Sequence, residues 1–227
     1  MRAMLLAAGK GERMRPLTLE RPKPLLEIAG KPLIAWHLAN LAAAGIKDVV
    51  INVSWLGDQI IDYCGAGDRW GLHIGYSEEA EALETAGGIL QALPQLGDAP
   101  FIVLNADVWT DFPIVSLRTR TLAASCAHLV MVDNPAHHPD GDFALRRGRL
   151  ETGFDGRLTF SGVGLYHPAF FAGYSEGKRP LLPLLQQAMA QHRLLGEHYR
   201  GAWTDVGTPQ RLDALNQQYT HAESSQN

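Results

Sequence analysis

The chain is poor in the features that would place it in a specialised class. It has two cysteines in 227 residues, Cys64 and Cys126, without the spacing of a disulfide framework or a metal site. They are expected to be buried thiols in a reducing compartment. Basic residues are not in excess: 20 Lys and Arg against 24 Asp and Glu leave a net charge of −4. No general field therefore draws the protein to nucleic acid or to an anionic membrane, and an anionic substrate must be held by local positive charge. Long apolar runs are missing. The opening MRAMLLAAGKG turns charged after a few apolar positions, too short a stretch for a signal peptide or a membrane span. A cytoplasmic location is expected. No repeat, low-complexity tract or long linker divides the chain, so residues 1–219 are expected to form a single domain, with a polar tail over 220–227. What remains is an ordinary globular composition, 46% hydrophobic and 19% charged, with length enough for a substantial core.

Apolar runs and helical patterns alternate through the first half, as in a parallel sheet covered by helices. Strands are expected over residues 3–8, 49–53, 72–76 and 101–104. Helices are expected over 32–44, closed by Gly45, and over 56–64, closed by Gly65. A further helix over 89–93 should end at Pro94. The second half reads differently: a strand over 127–132, a hairpin over 143–150 turning at Arg147-Gly148, and a long strand over 158–167. A helix over 183–192, a late strand over 199–206 and a helix from 209 to about 219 complete it. The predicted class is α/β, a mostly parallel central sheet flanked by helices with a smaller antiparallel, substrate-facing part.

Residues 5–25, LLAAGKGERMRPLTLERPKPL, carry the strongest chemical signal. A strand that ends in a glycine turn exposes successive backbone N–H groups able to wrap phosphates. Arg13 and Lys23 add fixed positive charge suited to a triphosphate being cleaved. A third glycine is missing, because Met14 stands where it would fall, and no Gly-Lys-Ser/Thr follows, so the turn is neither a dinucleotide fingerprint nor a P-loop. Asp107 follows a central strand, where open α/β sheets bind ligands and a carboxylate suits Mg²⁺; the same residue type also serves turns and helix caps. Asp205, in WTDVGTP, is a charge in an otherwise apolar and β-branched run, which is costly unless paired or metal-bound. In LETAGG the glycines of a helix start allow a flat base to approach, while Thr85 is equally suited to a plain N-cap. His137 and His138, flanked by Pro135 and Pro139, are expected as loop residues and not as a metal pair.

Taken together, LAAGKGERMRPLT, PKPL at 22–25, LETAGG at 83–88, NAD at 105–107 and WTDVGT at 203–208 resemble, in order and spacing, the sugar-1-phosphate nucleotidyltransferases. The likeness covers essentially residues 1–219. Further wording (DVWTD, NPxHH, GDF, TFSG, HYRGxWxDVGT) is similar to the members that move a uridylyl group from UTP to N-acetylmuramate 1-phosphate in peptidoglycan recycling. The resemblance implies a Rossmann-like core without a C-terminal left-handed β-helix, and a monomer. It implies that Ala8, Gly9, Gly11, Glu12, Arg13 and Lys23 bind the nucleoside triphosphate, Arg13 and Lys23 being catalytic. Glu84, Thr85, Gly87 and Gly88 would lie near the base. Asp107 and Asp205 would hold Mg²⁺, and Asn105, Asp142, Glu151, Ser161 and Gly162 would line the sugar-phosphate pocket. Ala8 and Glu12 stand where larger relatives favour Gly and Thr. Neighbouring readings are a mannose- or heptose-1-phosphate guanylyltransferase and a phosphocholine-type cytidylyltransferase. A binding subunit without catalysis would be expected to have lost charges among Arg13, Lys23, Asp107 and Asp205, and all four are present.

Overall fold

A computed structural model describes residues 1–153 and 155–224. The buried β1 (Ala3–Leu6) opens the chain and runs into the glycine turn. A small hairpin of β2 (Glu27–Ile28) and β3 (Lys31–Pro32) delivers the chain to α1 (Leu33–Ala43). Next come β4 (Asp48–Val53), α2 (Gly57–Cys64), β5 (His73–Glu78), α3 (Glu84–Leu96) and β6 (Phe101–Asn105). β7 (Val108–Thr110) and α4 (Val115–Arg118) lead to β8 (Ala127–Val132), β9 (Phe143–Arg146), β10 (Arg149–Glu151) and β11 (Arg157–Tyr166). The chain continues through α5 (Leu182–Ala190), β12 (Leu194–His198), β13 (Trp203–Asp205) and α6 (Pro209–Ser224).

The main sheet has nine strands in the order β5-β4-β1-β6-β11-β8-β12-β10-β9, and β9 pairs with β11 as well. β5, β4, β1 and β6 are mutually parallel, and β8 is parallel to β12. β11 runs antiparallel to β6 and β8, while β10 runs antiparallel to β12 and β9. Parallel neighbours need a crossover, and here helices supply it on both faces. The period of two along each strand sorts the side chains between those faces. Leu5, Ile51 and Leu104 join α1 and α2 through Leu38, Leu41 and Ile60. Met4, Val103 and Met131 join α3 and α5 through Ile89, Leu90, Leu184 and Leu185. A third cluster ties the glycine loop to the end of the chain: Met14 packs with Leu26, Ile28, Leu33, Val206, Leu212 and Leu215. Full burial of Met14 contributes roughly 2 kcal/mol toward holding that loop in place.

Several boundaries differ from expectation for identifiable reasons. β1 stops at Leu6, because the Ala7 N–H leaves the ladder and donates to Asn52 Oδ1 (2.8 Å). α3 begins at Glu84 and passes through Pro94, which falls in its last turn. Proline there costs one N–H donor, and the helix still closes when the Gly97 N–H donates to Leu93 O (3.0 Å). The late strand expected over 199–206 shortens to β13, which pairs with β7 outside the main sheet, and β12, at 194–198, adds a strand before it that pairs with β8. α6 runs to Ser224, so the polar stretch expected over 220–227 starts as helix; residues 225–227 lie outside the described residues. Cys64 is buried, and burial pushes its thiol up to about 12, whereas Cys126 is only half-buried. Among the described residues no helix is long and apolar enough to cross a membrane.

Candidate active site

A cleft of about 930 Å³ opens at the C-terminal end of β1. One wall is the turn from Ala7 to Met14. Gly11 has φ +62, and its carbonyl accepts the Thr18 hydroxyl (2.8 Å); a Cβ at Gly11 would lie 2.9 Å from Thr18 Cγ2. Only glycine combines this backbone with that contact. A Cβ at Gly9 would meet nothing within 4 Å, so its backbone is open to the cleft. Beneath the turn lies a buried polar chain: Asn52 accepts the Ala7 N–H, donates through Nδ2 to Glu79 Oε1 (2.7 Å), and Glu79 Oε2 accepts the Leu83 N–H (2.8 Å). These satisfied groups hold the turn and the start of α3 at a set separation.

The opposing corner carries the charged groups. Lys23 sits at the start of a short 3-10 turn and is nearly buried; its Nζ lies 2.6 Å from Asp107 Oδ2. Asp107 also lends its carbonyl to the Val206 N–H (2.9 Å), and Asp205 pairs in register with Val108. The WTDVGT segment is thus laid directly beside Asn105-Ala106-Asp107. The Asp205 side chain faces Arg211, which donates to Oδ2, and His137, whose Nε2 is 3.0 Å from Oδ1. Gly207 lines the cleft beside Asp107, and its missing Cβ leaves room for the Arg211 guanidinium. Among the described residues no group of three or more His, Cys, Asp or Glu is placed to hold a metal. Behind Asp107, His37 is buried with Nε2 2.8 Å from Val108 O, and burial lowers its pKa to about 4. Because a carbonyl only accepts, the ring is neutral with its proton on Nε2.

A second cleft of about 490 Å³ meets the first at Glu84, Thr85 and Asn105. Its remaining lining is Asp142, Phe143, Phe160, Pro180, Leu181, Leu182 and Leu185. Asp142 Oδ2 accepts the Phe160 N–H (2.7 Å), and its Oδ1 lies 3.1 Å from His138 Nε2. Glu84 has φ +62, a left-handed conformation uncommon outside glycine, at the point where the clefts join.

Of the expected site residues, Ala8, Gly9, Gly11, Glu12, Arg13, Lys23, Glu84, Thr85, Asn105 and Asp107 line the main cleft, and Asp142 lines the second. Others do not reach either cleft wall, the expected metal residue Asp205 among them, because its carboxylate faces Arg211 and His137. Gly87 and Gly88 are buried, and their bare backbones let other protein groups approach instead of a base. A Cβ on Gly87 would run into Gly177 O, and one on Gly88 would lie 2.5 Å from Glu79 Oε1. Ser161 turns inward, donating to Val130 O (2.7 Å) and accepting the Val163 N–H. Gly162, at φ +81 in a bulge of β11, backs Asn105: a Cβ there would lie 2.7 Å from Asn105 Nδ2. Glu151 ends β10, between β12 and β9, where it is exposed and lines neither cleft. Sequence reasoning missed Asn52, Trp55, Glu79, Glu81, Lys178 and Gly207. Asn52 was detectable as an amide inside an apolar strand, and His137-His138 as polar residues that reach Asp205 and Asp142.

The nucleotidyl transferase family pattern matches residues 2–141. The chain is 51% identical over 220 residues to the N-acetylmuramate alpha-1-phosphate uridylyltransferase of Neisseria meningitidis, covering 93% of this chain and 95% of that protein. It is 36% identical to the protein of the same name from Caulobacter vibrioides, covering 92% of each. Among solved structures, a putative glucose-1-phosphate thymidylyltransferase from Bacillus anthracis superposes with a TM-score of 0.84 at 18% identity, over 96% of this chain and 94% of that one. With its glycine turn, its Lys23–Asp107 pair and two joined clefts at the strand ends, the chain belongs to the nucleotidyl transferase family, among the sugar-1-phosphate nucleotidyltransferases.

Proposed function

We propose that this enzyme transfers a uridylyl group from UTP to N-acetylmuramic acid 1-phosphate, releasing pyrophosphate and giving UDP-N-acetylmuramic acid, in cytoplasmic peptidoglycan recycling. The observation that carries the reading is the junction of two clefts beside the glycine turn, one lined by the phosphate-binding loop and the other by Asp142 and apolar side chains. The two relatives of that name supply the choice of base and sugar.

An oxygen of the acceptor phosphate attacks the α-phosphorus, a P–O bond forms, and the bond to the β-phosphate breaks. The nucleophile is already ionised near neutral pH, so no side chain need take its proton. The protein's work is alignment and charge neutralisation. The N–H groups of the Gly9–Arg13 turn and the Arg13 guanidinium hold the triphosphate, Lys23 faces the charge that grows at the α-phosphate, and Glu84 and Thr85 stand beside the base. Asp142 and Asn105 orient the sugar. The donor chemistry of the Asp107 corner fits Mg²⁺, a hard cation that takes one or two carboxylates plus phosphate oxygens. Asp107, which lines the main cleft, would hold it, whereas Asp205 is engaged by Arg211 outside the cleft wall; bound at Asp107 the ion would supply further neutralisation of phosphate charge.

A panel of the four nucleoside triphosphates against several sugar 1-phosphates, followed by pyrophosphate release, tests the reading. UTP with N-acetylmuramic acid 1-phosphate is expected to be the preferred pair. Higher kcat/KM for GTP with mannose 1-phosphate, or for CTP with phosphocholine, would replace it.

A further inference from the structure

The acceptor cleft has a charge problem. Its lining includes two carboxylates, Glu84 and Asp142, and no lysine or arginine. A sugar 1-phosphate nevertheless brings a phosphate dianion to the point where this cleft meets the other. The basic side chains around the main cleft are Lys10, Arg13, Lys23 and Lys178. Lys10 and Arg13 belong to the triphosphate turn, and Lys23 is paired with Asp107. Lys178 stands apart. It comes from the connection between Phe171 and α5, two residues before Pro180 and three before Leu181, which line the acceptor cleft. It is exposed, and among the described residues it has no ion-pair or hydrogen-bond partner.

The connection that carries Lys178 is anchored to the start of α3. The Arg179 N–H donates to Leu83 O (2.9 Å), and Arg179 O accepts the N–H groups of Ala86 and Gly87, each at 3.1 Å. Gly87 lets this contact form, since a Cβ there would collide with Gly177 O. Gly177 itself has φ +119. The Arg179 guanidinium is engaged elsewhere, 5.5 Å from the centre of the Tyr174 ring. A backbone hydrogen-bonded at residue 179 and packed against Gly87 at residue 177 places an unpaired ammonium on the wall of the main cleft, next in the chain to the wall of the acceptor cleft, a position suited to binding an anion.

We propose that Lys178 binds the 1-phosphate of the sugar acceptor, supplying the positive charge that the acceptor cleft lacks. The proposal rests on the functional reading given above. Steady-state kinetics with UTP and N-acetylmuramic acid 1-phosphate test it. Lys178→Gln is expected to raise KM for the sugar phosphate about tenfold, with KM for UTP and the melting temperature unchanged. Lys178→Arg is expected to restore most of the loss. An unchanged KM for the sugar phosphate, or a rise in KM for UTP in its place, overturns the proposal. Inhibition by N-acetylglucosamine 1-phosphate separates the two anionic groups of the acceptor, because this compound keeps the phosphate and lacks the lactyl carboxylate. A matching loss of inhibition in Lys178→Gln supports the phosphate contact; a loss confined to the muramic acid substrate overturns it in favour of the carboxylate. A wild-type enzyme inactive on this pair in the triphosphate panel refutes the functional reading instead, so the two failures are distinguishable.

Discussion

Lys23 combines two properties that normally exclude each other. It is a cation with a side chain only 8% exposed, and it lines the main cleft. Burying an ammonium is costly unless a partner offsets the loss of water, and Asp107 at 2.6 Å provides that partner. Asp107 is 40% exposed, so water can replace Lys23 around it when the lysine is removed. Lys23→Ala is therefore expected to fold normally and to lower kcat by roughly 10²–10³, the usual effect of deleting one group that stabilises transition-state charge. Pyrophosphate release at saturating substrates measures this. A variant with wild-type kcat would take Lys23 out of the chemistry. Asp205 is the contrasting case, since its carboxylate is shared between Arg211 and His137 and only the neighbouring Gly207 reaches the cleft wall.

At the scale of elements, the position of Asn105 is set by the strand beside it. β11 is antiparallel to β6, and its register against β8 shifts between Phe160 and Gly164. The extra residues put Ser161 into hydrogen bonds with the backbone of Val130 and Val163, and put Gly162 in the left-handed region against Asn105. A bulge of this kind re-aims what lies next to it. Gly162→Ala would meet both the backbone preference and Asn105 Cβ at 2.9 Å. It is expected to cost about 1–2 kcal/mol of stability and to raise KM for the sugar phosphate more than KM for the nucleotide. Denaturant unfolding and initial-rate kinetics on the same variant check both parts; equal KM values for wild type and variant would show that the bulge does not shape the acceptor cleft.

For the molecule as a whole, His37 couples the core to pH. It stays neutral in the fold with a pKa of about 4, against 6.5 when solvated. Between those values the unfolded chain takes up a proton that the folded protein refuses. Stability is therefore flat above about pH 6.5 on this account and falls as pH drops from 6.5 to 4, by roughly 3 kcal/mol across the window. His37→Gln can keep a donor toward Val108 O and has no proton to gain. It is expected to lose less stability than the wild type between pH 7 and pH 4.5. Thermal unfolding across that range measures the difference, and parallel curves for the two proteins would remove His37 from the acid sensitivity.

The sequence alone determined the alternation of the first half, the glycine turn and the choice of Lys23 and Asp107 as residues of the cleft beside it. Local signals suffice there: apolar runs of strand length, glycine where φ is positive, and basic residues within a few positions of the turn. Those signals failed where the partner is remote. Residues 199–206 read as one strand, yet only β13 forms there and pairs with β7, while β12 precedes it at 194–198 beside β8, because the available sheet edges decide pairing and not the residues themselves. LETAGG reads as an approach for a base, yet Gly87 and Gly88 are small because Gly177 and Glu79 press on them from distant segments. Ser161 and Glu151 are equally polar in the sequence, and only the pairing of β11 and β10 turns one inward and leaves the other exposed to solvent. The tertiary structure likewise brings WTDVGT beside Asp107 and carries Lys178 to the wall of the main cleft. Periodicity and turn chemistry act over a few residues and are written in the chain. Which surfaces meet depends on how whole elements pack, and that appears only once the chain is folded.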